Sequence, residues 1–158
     1  MISDQIIEGV LEELEHADFE KQIEVFNEAY PVLQSYLLND QLKSLTHEEF
    51  MLLFFNALVI ARCFESIKSI PEQIDPAILE EAESKNWSML ENAKPQGFRE
   101  KLDVFFETST QEDLLAFIED SLADDEEFII SSAVKEILFV YSKSILDTFV
   151  AYANTASN

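Results

Sequence analysis

The sequence predicts an all-α fold: a single compact domain of about six to eight helices. Three observations predict it. Apolar residues recur three and four positions apart along almost the whole chain, which is the spacing of one helix face. No segment alternates apolar and polar residues as a half-buried strand does, and no Asn-Gly or Asp-Gly hairpin turn occurs. The chain has 158 residues, 47% of them apolar, so it can bury one core without a disulfide or a metal.

Local signals predict the helices of the first half. Asp18 is placed to cap a helix that should end before Pro31, because proline has no amide hydrogen to donate. Thr46 and Glu49 have the spacing of a capping box at the start of a long helix that reaches about Lys68. That helix is apolar almost all round, which is typical of a central, buried helix.

A second series of signals begins at Asp75. Asp75 as cap and Pro76 as first helical residue start the next helix. Its apolar spacing continues with a break near Asn86, and Pro95 and Gly97 end it.

Three further helices complete the predicted fold. The first begins with Phe98, Leu102, Phe105 and Phe106. Ser109 or Thr110 is placed to cap the second. The last helix is expected to start near Asp124 and to extend to about Ala153. The acids of residues 124–127 would then meet the positive end of the helix dipole, each contributing about 0.3–1 kcal/mol.

The chain also resembles itself at a shift of about 79 residues. Ile23–Phe26 lies over Leu102–Phe105, and Glu48–Phe50 lies over Glu126–Phe128. We therefore expect two degenerate four-helix repeats, residues 1–79 and 80–158, packed as one core within a single domain of residues 1–158.

The net charge is the most informative bulk property. The chain has 10 Lys and Arg against 32 Asp and Glu, a formal net charge of −22. A charge of this size excludes direct binding to nucleic acids and to anionic membranes. Residues 1–20 and 102–134 contain acids but no Lys or Arg, and form either a solvated surface or a docking face for a basic protein partner. The candidate docking residues are Glu12, Glu13, Glu15, Asp113, Glu119, Asp120, Asp124, Asp125, Glu126 and Glu127.

The sequence predicts no catalytic residue, no cofactor site and no metal site. Glu13 and His16 have the Glu-x-x-His spacing of di-iron bundles, but the second copy that such a site needs is missing. His47 accompanies no nucleophile signature. Cys63, the single cysteine, is expected to be a small buried hydrophobe.

Asn56 and Arg62 interrupt the most apolar helix. If they are buried, each needs a polar partner, and Arg62 could pair with Glu65. The alternative is that both are polar points of a ligand pocket that also includes Cys63.

The last helix carries a second apolar stripe that includes Phe139, Leu146 and Val150. Such a stripe either packs between helices of the same chain, which we favour, or forms the seam of a homodimer.

These observations favour a non-enzymatic protein-binding module, of an adaptor, inhibitor or immunity type, that engages a basic partner. One alternative is a DNA mimic, in which carboxylates replace phosphates. Another is a small-ligand binder or enzyme with a pocket near Asn56 and Arg62. The N-terminus lacks the pattern of a signal peptide and no apolar run is long enough to span a bilayer, so we expect a cytoplasmic protein without membrane contact.

Overall fold

The computed structural model describes residues 1–93 and 97–156, with side chains through residue 154. Every regular element in this part of the chain is a helix, so the predicted all-α fold is confirmed. The helices are α1 (Asp4–Glu15), α2 (Phe19–Ala29), α3 (Pro31–Leu37), a short 3₁₀ helix (Asp40–Leu42), α4 (His47–Ser66), α5 (Pro76–Glu91), α6 (Phe98–Lys101), α7 (Asp103–Thr108), α8 (Glu112–Ser121) and α9 (Ser132–Ala156). The short α6 and α7 meet at Leu102, whose backbone is itself helical.

Three predicted helix starts are confirmed. The Asp18 carboxylate accepts the first amides of α2, the nearer at 3.1 Å. Thr46 and Glu49 form the capping box of α4, because the Glu49 amide donates to Thr46 Oγ1 at 3.1 Å and the Thr46 amide donates to Glu49 Oε1 at 2.9 Å. Asp75 caps α5, and Pro76 is its first helical residue.

The predictions for the ends of α4 and α5 need correction. α4 ends at Ser66, and Lys68, where the helix was expected to end, has a left-handed backbone with φ of 57°. The break expected near Asn86 is absent, since α5 continues to Glu91. Asn86 is instead a buried residue of the helix. Gly97 is the N-cap of α6, and Pro95 lies outside the described residues.

The predicted start of α8 is also wrong. Gln111 is the N-cap, and neither Ser109 nor Thr110 caps the helix. The Ser109 hydroxyl accepts the Gln111 amide at 2.9 Å, which stabilises the turn before α8 rather than the first turn of the helix.

The last helix begins at Ser132, well after the expected start near Asp124. Asp125 Oδ1 accepts the amides of Glu127 and Phe128 at 2.8 and 2.6 Å, which closes a turn before the helix. Short Asp side chains compete with helix formation in this way because they can bond the backbone two or three residues ahead. Residues 124–127 therefore belong to a loop and do not act on the dipole of α9.

The core lies around the two longest helices, α4 and α9, which pack against each other. α1 and α8 pack on α4, and α5 packs on α9. Aromatic rings connect these layers: Phe64 of α4 stacks on Phe149 of α9 at 5.3 Å, and Tyr36 of α3 lies 5.0 Å from Tyr141 of α9. Both long helices are apolar over most of their surface because neighbours cover them on several sides.

The predicted dimer seam is not exposed. Phe139 is 0% exposed, and its ring makes edge contacts with Phe98 at 6.2 Å and Phe105 at 4.9 Å. Leu146 is also buried, and Val150 is half-buried. α5, α6 and α7 lie against this side of α9, so the stripe packs within one chain, which is the alternative that the sequence favoured.

The order of the helices is compatible with a duplication. In each half the first helix packs on the long helix, α1 on α4 and α5 on α9, and the two long helices pack together. The halves differ in detail, since α2 has 11 residues whereas its counterpart is divided into α6 with 4 and α7 with 6. The alignment also passes through residues 94–96, which are not described. The repeats 1–79 and 80–158 therefore remain a prediction.

Candidate functional site

Six of the nine basic side chains of the described residues pair with acids that lie outside the first two helices, whereas Lys21, Lys68 and Lys85 take part in no such pair. The ion pairs are Lys43 with Asp40, Arg62 with Glu65, Arg99 with Glu119 and Asp120, Lys101 with Glu136, Lys135 with Asp124, and Lys143 with Asp147. None of these pairs includes a residue of α1 or α2. The negative charge of those two helices is therefore not balanced by ion pairs among the described residues.

The exposed carboxylates of α1 and α2 form what we call the α1–α2 acidic surface. Its members are Asp4, Glu8, Glu12, Glu13, Glu15, Glu20, Glu24 and Glu28. They recur mostly three or four residues apart, on the helix sides opposite to the buried apolar stripes. Lys21 is the single Lys or Arg in the first 42 residues. Such an array repels anions and attracts cationic surfaces over several ångströms.

Part of the second acidic stretch, residues 102–134, is neutralised. Arg99 Nε donates to Glu119 Oε1 at 2.7 Å, and a terminal nitrogen of Arg99 lies 3.7 Å from Asp120. The hydrogen bond to Glu119 raises the pKa of Arg99. The Asp113 carboxylate accepts the Asp4 amide at 3.2 Å and so lies at the start of α1.

The loop before α9 uses more of these acids internally. Asp124 Oδ1 accepts the Ile130 amide at 2.9 Å, and Lys135 Nζ lies 3.3 Å from the Asp124 carboxylate. The backbone hydrogen bond is the main cause of the lowered pKa of Asp124. Glu126 and Glu127 are exposed residues of the same loop. The candidate docking residues thus divide into an α1 group without ion pairs and a second group that is partly used in local structure.

Asn56 is fully buried among α4, α8 and α9. Its Nδ2 donates to Ser121 Oγ at 2.9 Å and lies 3.5 Å from Ser142 Oγ. Its Oδ1 is buried without a hydrogen-bond partner among the described residues. The side chain therefore joins three helices within the core.

Arg62 and Cys63 do not join Asn56 in a pocket. Arg62 is about one-third exposed and lies 3.6 Å from Glu65 on the next turn of α4. Cys63 is buried, and burial raises the pKa of its thiol to about 12, so a reactive thiolate is not populated near neutral pH. The described residues therefore do not bring Asn56, Arg62 and Cys63 together: Asn56 and Cys63 are buried in the core, and Arg62 lies at the surface of α4.

Arg62 instead lines a groove of about 470 Å³ between α1 and the end of α4, which we call the Gly9 groove. Its lining residues are Gln5, Ile6, Gly9, Val10, Glu13, Arg62, Glu65, Ser66 and Ile67. Glu65 also accepts a hydrogen bond at 2.8 Å from the hydroxyl of Tyr30, the residue before α3, which holds this wall in place. The groove adjoins the α1–α2 acidic surface through Glu13.

A second groove, of about 490 Å³, lies between α5, α9 and the turn before α8. Asn86 is buried at its edge and donates to Ser144 Oγ at 3.1 Å and to Asp147 Oδ2 at 3.0 Å. Lys143 pairs with Asp147 and lies 5.9 Å from the centre of the Phe105 ring. This polar cluster was not predicted from the sequence, although Asn86 lies seven residues after the buried Leu79 and so falls on the core-facing side of α5.

The two histidines lie at helix ends. His16 is the C-cap of α1 and is exposed like Glu13, and His47 is the first residue of α4. Within residues 1–93 and 97–156, no group of three or more His, Cys, Asp or Glu side chains is arranged to hold a metal ion. None of the described helices combines the length and apolar character that crossing a bilayer requires.

Comparison with models of protein families finds no match, and comparisons with curated proteins and with solved structures likewise find no significant match. Any function assigned to the chain therefore rests on its own residues.

Proposed function

We propose that this protein is a non-enzymatic binding module that engages a basic protein partner through the α1–α2 acidic surface. The observation that carries the proposal is the uneven distribution of ion pairs. Six of the nine Lys and Arg side chains of the described residues pair with acids elsewhere, and the carboxylates of the first two helices are exposed and form no ion pair within that part of the chain. A cationic partner would offset the mutual repulsion of these carboxylates. The electric field of the carboxylates would also speed the association of such a partner with the surface.

A DNA mimic ranks second on the same surface. The acids of α1 at positions 4, 8, 12, 13 and 15 supply one carboxylate per about 4 Å of helix axis. Each strand of duplex DNA carries one charge per about 3.4 Å of the axis, and the two strands together carry one per about 1.7 Å. One helix therefore approaches the charge density of one strand only, and a DNA mimic would need a second row of matching spacing, whereas a basic protein surface requires no such regular spacing.

The experiment compares capture of proteins from the source lysate by three forms of the chain. The first is wild type. The second carries Glu8→Gln, Glu12→Gln and Glu15→Gln on α1. The matched control carries Glu107→Gln, Glu126→Gln and Glu127→Gln, which are exposed acids of the second stretch. The two variants have the same net charge, so a difference between them reports the position of the charge and not its amount.

We expect one basic protein to be held by wild type and by the matched control, to elute at moderate salt, and to be lost from the α1 variant. Equal retention by both variants would contradict the proposal, and so would the absence of any specifically held protein. A captured protein that binds DNA, and whose DNA binding the wild-type chain competes with, would move the DNA mimic to first place.

A further inference from the structure

Gly9 is an unusual residue for its position. It lies inside α1, and a Cβ atom built on it would meet nothing within 4 Å. Glycine in a helix interior is less favourable than alanine because the unfolded chain has more conformational freedom to lose. No neighbouring group occupies the space that a side chain at this position would fill. Packing within the described residues therefore does not require a glycine here.

The Gly9 groove has an apolar floor. Ile6 and Val10 flank Gly9 on α1, and Ile67 faces the groove from the end of α4. Ile67 is 43% exposed, which leaves an apolar wall open to solvent. A side chain that entered this space would be covered by apolar groups on both sides and could approach the backbone of α1 closely, because Gly9 has no Cβ.

The rim of the groove is charged. Arg62 pairs with Glu65 on the α4 side, so the cation is already neutralised. Glu12 and Glu13 follow Gly9 by three and four positions, so they lie one helical turn further along α1 on either side of it. Both belong to the α1–α2 acidic surface and neither takes part in an ion pair of the described residues.

We propose that the Gly9 groove takes a large apolar side chain from a Lys- or Arg-rich segment of the partner, whose neighbouring cations bind Glu12 and Glu13. This inference rests on the proposed function, because it names the part of the basic partner that the same surface holds. An apolar anchor in a small groove with a polar rim is the usual organisation of a binding hot spot. Since Arg62 is paired with Glu65, the charge of the groove that is unpaired among the described residues is Glu13. A cation of the partner belongs at that edge, while the apolar side chain lies over Ile6, Gly9 and Ile67.

The test uses two fluorescein-labelled peptides of about 14 residues, each long enough for about four helical turns. Both carry the same number of lysines in an amphipathic pattern. One has leucine at the remaining positions and the other has serine. Dissociation constants are measured by fluorescence anisotropy with wild type, Gly9→Gln and Ile67→Ser, and with Ser84→Gln as a control at an exposed site on α5. Circular dichroism checks that each variant is folded.

We expect the leucine peptide to bind wild type at least about tenfold more tightly than the serine peptide, as burial of one leucine side chain predicts. Gly9→Gln fills the groove with a polar side chain and should weaken the leucine peptide by about tenfold. The serine peptide should bind Gly9→Gln as it binds wild type, and Ser84→Gln should change neither peptide. Ile67→Ser should repeat the effect of Gly9→Gln from the opposite wall.

Three results would overturn the inference. The first is equal affinity of both peptides for wild type, and the second is an unchanged leucine-peptide affinity in Gly9→Gln and Ile67→Ser. The third is a wild-type dimer that Gly9→Gln makes monomeric, which would assign the groove to a second copy of the chain. If instead neither peptide binds, or if Glu8→Gln, Glu12→Gln and Glu15→Gln leave serine-peptide binding unchanged, the proposed function itself fails.

Discussion

Asn56 places a hydrogen-bond donor in the middle of the most apolar helix of the chain. Its amide nitrogen reaches Ser121 of α8 and Ser142 of α9, so one side chain fixes α4 against two neighbours. A buried polar contact of this kind specifies how helices are aligned, because any other alignment would leave the donor unpaired.

Asn56→Asp should destabilise the fold strongly. The change replaces a donor by a carboxylate in a fully buried site, and an uncompensated buried charge costs about 3–5 kcal/mol. Burial raises the pKa of such a carboxyl, so the loss in free energy of unfolding should grow as the pH rises above about 4 and shrink below it. Urea denaturation at several pH values measures this. The control is Asn39→Asp, which keeps the acceptor that caps the 3₁₀ helix; equal effects of the two changes would contradict the account.

Three tyrosines, the buried Tyr30 and Tyr141 and the partly buried Tyr36, should make the stability of the fold depend on pH. Burial raises the pKa of Tyr141 to about 12. The pKa of Tyr30 is raised by burial and by its hydrogen bond to Glu65, and that of Tyr36 is raised by burial and by the charge of Glu83. The folded protein therefore keeps phenol protons that the unfolded chain loses above its ordinary pKa of about 10.

The free energy of unfolding should fall as the pH rises above about 10, because the unfolded chain then binds fewer protons than the folded one. Below that pH these phenols are protonated in both states and contribute no slope. Spectrophotometric titration of tyrosinate, followed together with circular dichroism, should show these tyrosines ionising only as the helices unfold. Ionisation of all tyrosines near pH 10 with the helices intact would contradict the assignment.

For single residues, the sequence predicted that a buried polar side chain needs a hydrogen-bond partner, but it did not predict which residue that partner is. The sequence indicated that Asn56 needs a polar partner if buried, because its neighbours along α4 are apolar. It could not indicate Ser121 or Ser142, which lie 65 and 86 residues away and approach Asn56 only through packing of the helices. Asn86 was misread as a break because asparagine is uncommon inside helices, although its spacing from Leu79 places it toward the core.

At the scale of helices, the loop before α9 shows two local preferences in competition. A run of acids favours the start of a helix, but Asp125 accepts two amides of its own loop and Asp124 accepts a third. Ser131 then provides the cap, its hydroxyl accepting the Val134 amide at 3.3 Å. The position of the first helical residue is set by these hydrogen bonds.

Asp125→Ala should lower the free energy of unfolding by about 1–2 kcal/mol, because two backbone amides lose their acceptor. Glu126→Ala, at the neighbouring exposed position, should change it by no more than about 0.5 kcal/mol. Chemical denaturation of both variants checks the difference. If Glu126→Ala proved as costly as Asp125→Ala, the acids would act through the helix dipole, as the sequence alone predicts.

Helix starts set by adjacent residues were predictable. Asp18 and Thr46 cap their helices as expected because the amides that they accept are only two or three positions away. The start of α9 was not predictable, since Asp and Ser side chains support either a cap or a turn, and the tertiary packing of the neighbouring residues decides between them. For the same reason Gln111 rather than Ser109 precedes α8.

At the scale of the whole molecule, the proposed function depends on which of the acids are neutralised by ion pairs and which are not. The net charge of −22 was available from composition, but the ion pairs were not. Arg99 reaches Glu119, 20 residues away, and Lys101 reaches Glu136, 35 residues away, because of the positions of α6, α8 and α9. The sequence therefore predicted two acidic stretches, residues 1–20 and 102–134, without distinguishing them. Within the part of the chain that the structure describes, the second stretch has carboxylates in ion pairs, whereas the α1–α2 acidic surface has none.

Self-repulsion of this charge should make the melting temperature depend on salt. We expect it to rise from low-millimolar salt to about 0.15 M, where screening acts over about 8 Å. Glu8→Gln, Glu12→Gln and Glu15→Gln together should flatten the rise, because they remove part of the unbalanced charge. Differential scanning calorimetry over this range measures it, and a flat or falling curve for wild type would mean that local contacts already offset the repulsion.

The most direct test of the central claim is a map of amide chemical-shift changes in the isotope-labelled protein during titration with the lysine–serine peptide. We expect the largest changes to fall in residues 4–28 and to disappear when salt is raised. Changes that are as large in residues 102–134, or that are confined to that stretch, would contradict the claim that the α1–α2 acidic surface is where this protein binds a basic partner.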